Sequence, residues 1–128
     1  MSQSIEIECD VGGYAFSQVA KRLRPAIYNE FRRVHGGPAH SWSGPTVDDY
    51  NKAVSSAVLE PYWPALLALP ELAWLTEQGY EMDHYFAPCG YYHLCVVTIR
   101  DRNAAMLYKL TWGKVKLRCS LRDGMVII

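Results

Sequence analysis

Between Lys114 and Leu121 the chain alternates without a break: Val115, Leu117, Cys119 and Leu121 are interleaved with Lys114, Lys116, Arg118 and Ser120. A period of two puts one set on each side of an extended backbone, so the segment reads as a half-buried strand with a basic outer face. The reading extends to its surroundings, and from Tyr80 to Ile128 the chain parses as four or five alternating strands separated by turns. Ala87-Pro88-Cys89-Gly90 has proline second and glycine fourth, as a type I turn favours, and would pair Phe86 with Tyr91, Tyr85 with Tyr92 and His84 with His93. Asp101-Arg102-Asn103 turns the chain again, Trp112-Gly113 is expected as a tight hairpin, and Arg122-Asp123-Gly124 precedes a last apolar strand, Met125 to Ile128. Lys109 then lies on the strand next to the basic one, with Met106, Tyr108, Leu110 and Trp112 sharing a core face.

The amino-terminal half is different. Ile5, Ile7 and Cys9 alternate with Glu6, Glu8 and Asp10, which predicts a short strand with an acidic outer face, turned by Val11-Gly12-Gly13. Phe16, Val19, Leu23, Ile27, Phe31 and Val34 then recur at steps of three and four, the spacing of one helical face. Ser17 is the expected cap, and Pro25 is expected to kink this helix or begin a second segment. His35-Gly36-Gly37-Pro38 ends it, and a loop from Gly36 to Pro45 carries His40 and Trp42. Thr46 is read as the cap of a second helix through Val47, Tyr50, Val54 and Val58, with Asp48 and Asp49 in its first turn. Glu60-Pro61 closes or bends that helix, and Tyr62 to Gln78 holds one or two short helices, with Pro70 as a first helical residue and Gly79 as a carboxy-terminal cap.

One strand, two helical blocks and then grouped strands define an α+β class: a carboxy-terminal antiparallel meander of four to five strands, covered on one face by helices. The 128 residues fit one domain, residues 1–128, able to bury about two-thirds of its unfolded surface. Half the residues are hydrophobic and 20% charged, a globular composition. The apolar stretch from Trp63 to Leu75 is broken by Pro64, Pro70 and Glu71, short of the roughly 20 residues of a membrane span, and the acidic start MSQSIEIECD lacks a signal pattern. A cytoplasmic protein with no membrane partner is expected, and reduced thiols at Cys9, Cys89, Cys95 and Cys119 accord with that compartment.

The chemistry-bearing residues are sparse. His84, Cys89, His93 and Cys95 would offer zinc its preferred sulfur and imidazole ligands if the hairpin opposes the two histidines, although H-x4-C-x3-H-x-C matches no metal-knuckle spacing. The same histidines could act as general acid and base in metal-independent phosphodiester cleavage, with Arg100, Lys116 or Arg118 steadying the phosphate. A one-residue slip in register would put the histidines on opposite faces. His35 and His40 read as exposed loop residues. No reaction or cofactor signature stands out, so no cofactor or metal is assigned, and binding is favoured over catalysis.

Formal net charge is zero, yet Asp48, Asp49, Glu60, Glu71, Glu77, Glu81 and Asp83 face Lys52 alone between residues 41 and 90, whereas Arg100, Arg102, Lys109, Lys114, Lys116, Arg118 and Arg122 face Asp101 and Asp123 beyond them. Such polarity marks a binding face, or is cancelled when the stretches pack together; the acidic strand Glu6 to Asp10 lying beside the basic one would do this. The basic face, with Tyr91, Tyr92, Tyr108 and Trp112 nearby, is the nucleic-acid reading. The favoured partner is another protein, met by an aromatic patch of Trp42, Tyr62, Tyr85 and Tyr92 and a charged one of Lys114, Lys116 and Arg118. An inhibitor or interaction module is the class expected, of the immunity-factor or phage anti-defence kind, and near-neutral charge also permits homo-oligomers.

Overall fold

A computed structural model describes residues 3–89, 92–113, 116–122 and 125–127. Strand β1 (Gln3–Val11) buries Ile5, Ile7 and Cys9 completely, as its alternation requires. Helix α1 (Gly13–His35) follows at once and lays Phe16, Val19, Leu23 and Ile27 against the core. It begins four residues before the expected cap at Ser17, with the Phe16 amide already bonded to the Gly12 carbonyl at 3.0 Å. It also runs through Pro25 as one helix, not two. Pro25 is exposed, so the carbonyl it leaves unbonded faces water, while Leu23 and Ile27 hold the turns on either side.

Helix α2 (Gly44–Leu59) is capped by Ser43, whose hydroxyl accepts from the Thr46 amide at 3.3 Å, so the expected cap, Thr46, is instead the residue being capped. A 3-10 turn over Glu60–Tyr62 ends α2 where the Glu60-Pro61 pair predicts. The short helix α3 (Trp63–Leu66) and helix α4 (Pro70–Glu77) come next, with Pro70 in the first helical position. Gly79, at φ +80, donates to the Thr76 carbonyl and closes α4. No helix among the described residues is long and apolar enough to cross a membrane.

Strands β2 (Met82–Cys89) and β3 (Tyr92–Ile99) form the hairpin, but its register differs from the expected one. Ala87, Pro88 and Cys89 are not a turn: they are the end of β2, opposite Leu94, His93 and Tyr92. Proline fits there because β2 is an edge strand. Gly90, the expected last residue of the turn, and Tyr91, the expected partner of Phe86, lie outside the described residues.

The largest correction is helix α5 (Arg102–Trp112), where a strand was expected. Asp101 caps it, its carboxylate accepting from the Ala104 amide at 2.9 Å, and Gly113 ends it in the left-handed region at φ +66. The residues that α5 buries are Ala104, Ala105 and Tyr108, a helical spacing; Met106 and Leu110, assigned to a core face, are exposed. Strand β4 (Lys116–Arg122) therefore does not return as a meander. It pairs in parallel with β1, while β3 pairs with β1 antiparallel from the other side. With the three-residue β5 (Met125–Ile127), the result is an α+β fold on a mixed sheet of order β2-β3-β1-β4-β5.

Strand alternation sends Ile5, Ile7, Cys9, Phe86, Cys95, Val97, Ile99, Cys119 and Leu121 to one face, where Leu59, Leu66, Leu72, Leu75 and Tyr108 of the helices meet them in a single core. The four cysteines are free, and Cys9 and Cys119, neighbours across the parallel pair, place their sulfurs 3.9 Å apart. Burial pushes the Cys95 thiol up to about 12. The other face of the sheet carries no helix among the described residues. That asymmetry positions the site.

Candidate interaction face

The uncovered face is assembled from the alternate residues of four strands, and its chemistry is striped. On β2 and β3 lie Tyr85, Leu94 and Val96, with Tyr92 and Thr98 at the two ends. On β1 lie Glu6, Glu8 and Asp10, and on β4 lie Lys116 and Arg118. Register interleaves them: Val96 is flanked by Tyr85 and Glu6, and Leu94 by Ala87 and Glu8. Val96 is 8% exposed yet stands outside the core cluster, sheltered by these neighbours on its own face, while Tyr85 remains 48% exposed. Lys52 reaches from α2 to the Tyr85 ring, with Nζ 5.9 Å from its centroid.

The basic strand lies directly against the acidic one. Glu6 opposes Lys116 and Glu8 opposes Arg118, and the Arg118 guanidinium Nε donates to Glu8 Oε2 at 3.0 Å. The acidic outer face of β1 thus lies against the basic one of β4, while the acidic stretch 41–90 meets the basic stretch beyond it where Arg100 bonds Asp83 and Glu81. Where β1, β3 and β4 come together, Glu8, Asp10, Tyr92 and Arg118 line an open cavity of about 380 Å³. Its walls carry two carboxylates, one guanidinium and one phenol ring, so charged groups of both signs border it.

The predicted aromatic patch is only half assembled. Tyr85 and Tyr92 share the open face, although they are not the expected cross-strand pair: Tyr85 opposes Val96, and Tyr92 opposes Cys89. Trp42 instead sits on the helical side among Tyr28, Tyr50 and Phe31, at centroid distances of 5.5, 5.8 and 6.0 Å. Its indole N–H donates to the Gly36 carbonyl at 2.8 Å, which pins the loop between α1 and α2. Tyr62 is half-buried against the core. Lys114 lies outside the described residues.

The histidine pair does not form. His84 opposes Val97 and His93 opposes Pro88, so the two are separated by four residues of β2, about 13 Å along the strand. His84 stacks on Trp63 at 3.7 Å and bonds Glu60 through Nε2 at 2.9 Å. His93 stacks on Phe16 at 4.1 Å, its Nδ1 lies 3.3 Å from the Ser55 hydroxyl, and burial holds its pKa below the usual 6.5. Both rings lie on the helical side, so the sheet itself separates them from Lys116 and Arg118. Arg100, the third candidate phosphate group, is held by Asp83 at 2.7 Å and Glu81 at 3.1 Å. The described residues contain no group of three or more histidine, cysteine or acidic side chains placed to hold a metal ion.

Leu94 and Val96 belong to the face without having been singled out in the sequence. The acids of β1 were visible as an outward-facing set. Leu94 and Val96 are hidden in the run Leu94-Cys95-Val96-Val97, where apolar residues on both faces erase the period of two. Comparisons with protein-family models, with curated proteins and with solved structures return no match to this chain.

Proposed function

We propose that this protein is a non-catalytic, cytoplasmic module that binds another protein through the uncovered face of its sheet. The observation that carries the reading is the stripe of Tyr85, Leu94 and Val96 lying alongside paired charges on β1 and β4. An apolar strip that excludes water, bordered by groups of both signs that fix orientation, is the anatomy of a protein interface. A module of this kind acts by covering a partner's working surface, as inhibitors, immunity factors and phage anti-defence proteins do. Nucleic-acid binding through β4 has less support, because Glu6 and Glu8 stand beside the cations that would meet phosphate and Arg118 is already paired.

Affinity capture of the tagged protein from lysate of its native host, with and without nuclease, tests the reading alongside the variants Leu94→Asp and Tyr85→Ala. The expected result is a stoichiometric protein partner that survives nuclease and is lost with Leu94→Asp while the circular dichroism spectrum is unchanged. Retention that depends on nucleic acid, or a partner indifferent to both variants, overturns it.

A further inference from the structure

On the opposite side of the sheet, a second concavity of about 170 Å³ lies between α1, α2 and the end of the β2–β3 hairpin. Its apolar wall is built from Phe16, Val54 and Pro88, and four polar side chains line it: Arg24 of α1, Asn51 and Ser55 of α2 and His93 of β3. The His93 ring is fixed from two directions, by the Phe16 stack and by Ser55 at Nδ1. In the tautomer whose Nδ1 accepts from the serine hydroxyl, the imidazole proton sits on Nε2, which no described residue engages. Arg24 makes no ion pair, and the Asn51 amide no hydrogen bond, among the described residues. A guanidinium and an amide therefore border one apolar hollow with their donors unused, and the Nε2–H tautomer of His93 adds a third.

We propose that this hollow binds a carboxylate carried on a short apolar chain. One full positive charge lines it, which matches a monoanion; a phosphate dianion would keep one charge uncompensated as it left water. The planar guanidinium fork suits the two oxygens of a carboxylate, and Phe16, Val54 and Pro88 suit the carbon atoms behind them. At about 30 Å³ of liquid volume per water, the space equals five or six waters, room for an acid of a few carbons. The hollow also continues outward: Asn51 and Pro88 are shared with a neighbouring cavity of about 200 Å³ lined by Asp48, Lys52 and Ala87. The carboxylate can thus belong to a free short-chain acid or to the carboxy terminus of a peptide whose preceding residue occupies the second cavity.

The test is a titration of the full chain, labelled with ¹⁵N, with butyrate, with N-acetyl-trialanine and with their uncharged counterparts, 1-butanol and N-acetyl-trialanine amide. The expected result is a saturable shift of the His93 ring nitrogens with a dissociation constant on the order of 1 mM. Neither uncharged counterpart should produce it, and Arg24→Gln, at an exposed position, should weaken it at least tenfold with the spectrum otherwise intact. Saturation by butyrate assigns a free acid, and saturation by the peptide acid alone assigns a chain terminus. Failure of both acids to saturate, an equal response to butanol, or indifference to Arg24→Gln overturns the proposal. Should Arg24→Gln disturb the fold, Asn51→Ala replaces it with the same expected direction. Arg24 and His93 lie on the helical side of the sheet and Leu94 on its uncovered face, so Arg24→Gln and Leu94→Asp let either reading fail alone.

Discussion

Removing the carboxylate of Asp101 isolates the contact on which the carboxy-terminal third of the fold turns. Asp101 accepts from the Ala104 amide at 2.9 Å and places a negative charge at the positive end of α5. Loss of such a cap is worth about 1 kcal/mol, and loss of the charge near the helix terminus about 0.4 kcal/mol more. Asp101→Ala should therefore destabilise by about 1.4 kcal/mol. For 128 residues at about 2.1 cal/mol/K each, the unfolding entropy is about 270 cal/mol/K, so the melting temperature should fall by about 5 °C. Asp101→Asn keeps the acceptor and loses only the charge, and should fall by about 1.5 °C. Leu110 supplies the control: at 81% exposure it packs against little, so Leu110→Thr should lose about 0.5 kcal/mol on a helix but be neutral or stabilising on a strand. Thermal melts of the three variants, followed by far-ultraviolet circular dichroism, are sufficient. Equal shifts for Asp101→Ala and Asp101→Asn, together with a stabilising Leu110→Thr, would refute the argument that a capped helix spans this segment.

Other outcomes follow from the same structure. Tyr108 is fully buried and its hydroxyl has no partner among the described residues, so Tyr108→Phe should stabilise by about 1 kcal/mol in urea denaturation. Burial, reinforced by Glu71, pushes the Tyr108 phenol up to about 12; between pH 10 and 12 it ionises first in the unfolded state, so wild-type stability should fall across that window and Tyr108→Phe should lessen the fall, the buried Cys95 thiol contributing the remainder. Burial lowers the His93 pKa, so the unfolded chain takes up the proton first as pH drops. Stability should decline from pH 6.5 downward until the folded value is passed, and His93→Gln should flatten that decline. A double-mutant cycle on Glu8 and Arg118 should return a coupling of no more than about 0.5 kcal/mol, because the Arg118 side chain is 83% exposed; a coupling above about 2 kcal/mol would contradict an open, solvated face.

Legibility tracked the physics of each segment. Strand β1 and helix α1 were readable because each buries one face and exposes the other, which writes a period into the sequence. The segment from Asp101 to Gly113 was misread although its signals were present: an Asp cap, paired alanines and a terminal glycine. Met106, Tyr108, Leu110 and Trp112 happen to alternate, and a short apolar run satisfies both periods until its caps are weighed. The histidine site failed for a different reason. Its geometry rested on one turn, and β2 running on through Pro88 to Cys89 moved every pairing along the hairpin.

What the sequence determined alone is the set of local faces: acidic on β1, basic on β4, and apolar beneath both. Those follow from alternation within a strand and need no partner. Only the tertiary structure decided which strands lie side by side, because pairing joins segments separated by most of the chain, as Glu8 and Arg118 are. By sending α5 between β3 and β4 and setting β4 parallel to β1, the fold placed the basic residues against the acids and left the tyrosine and leucine stripe uncovered. Local periodicity is a property of neighbouring residues; the face a molecule presents is a property of the strand order.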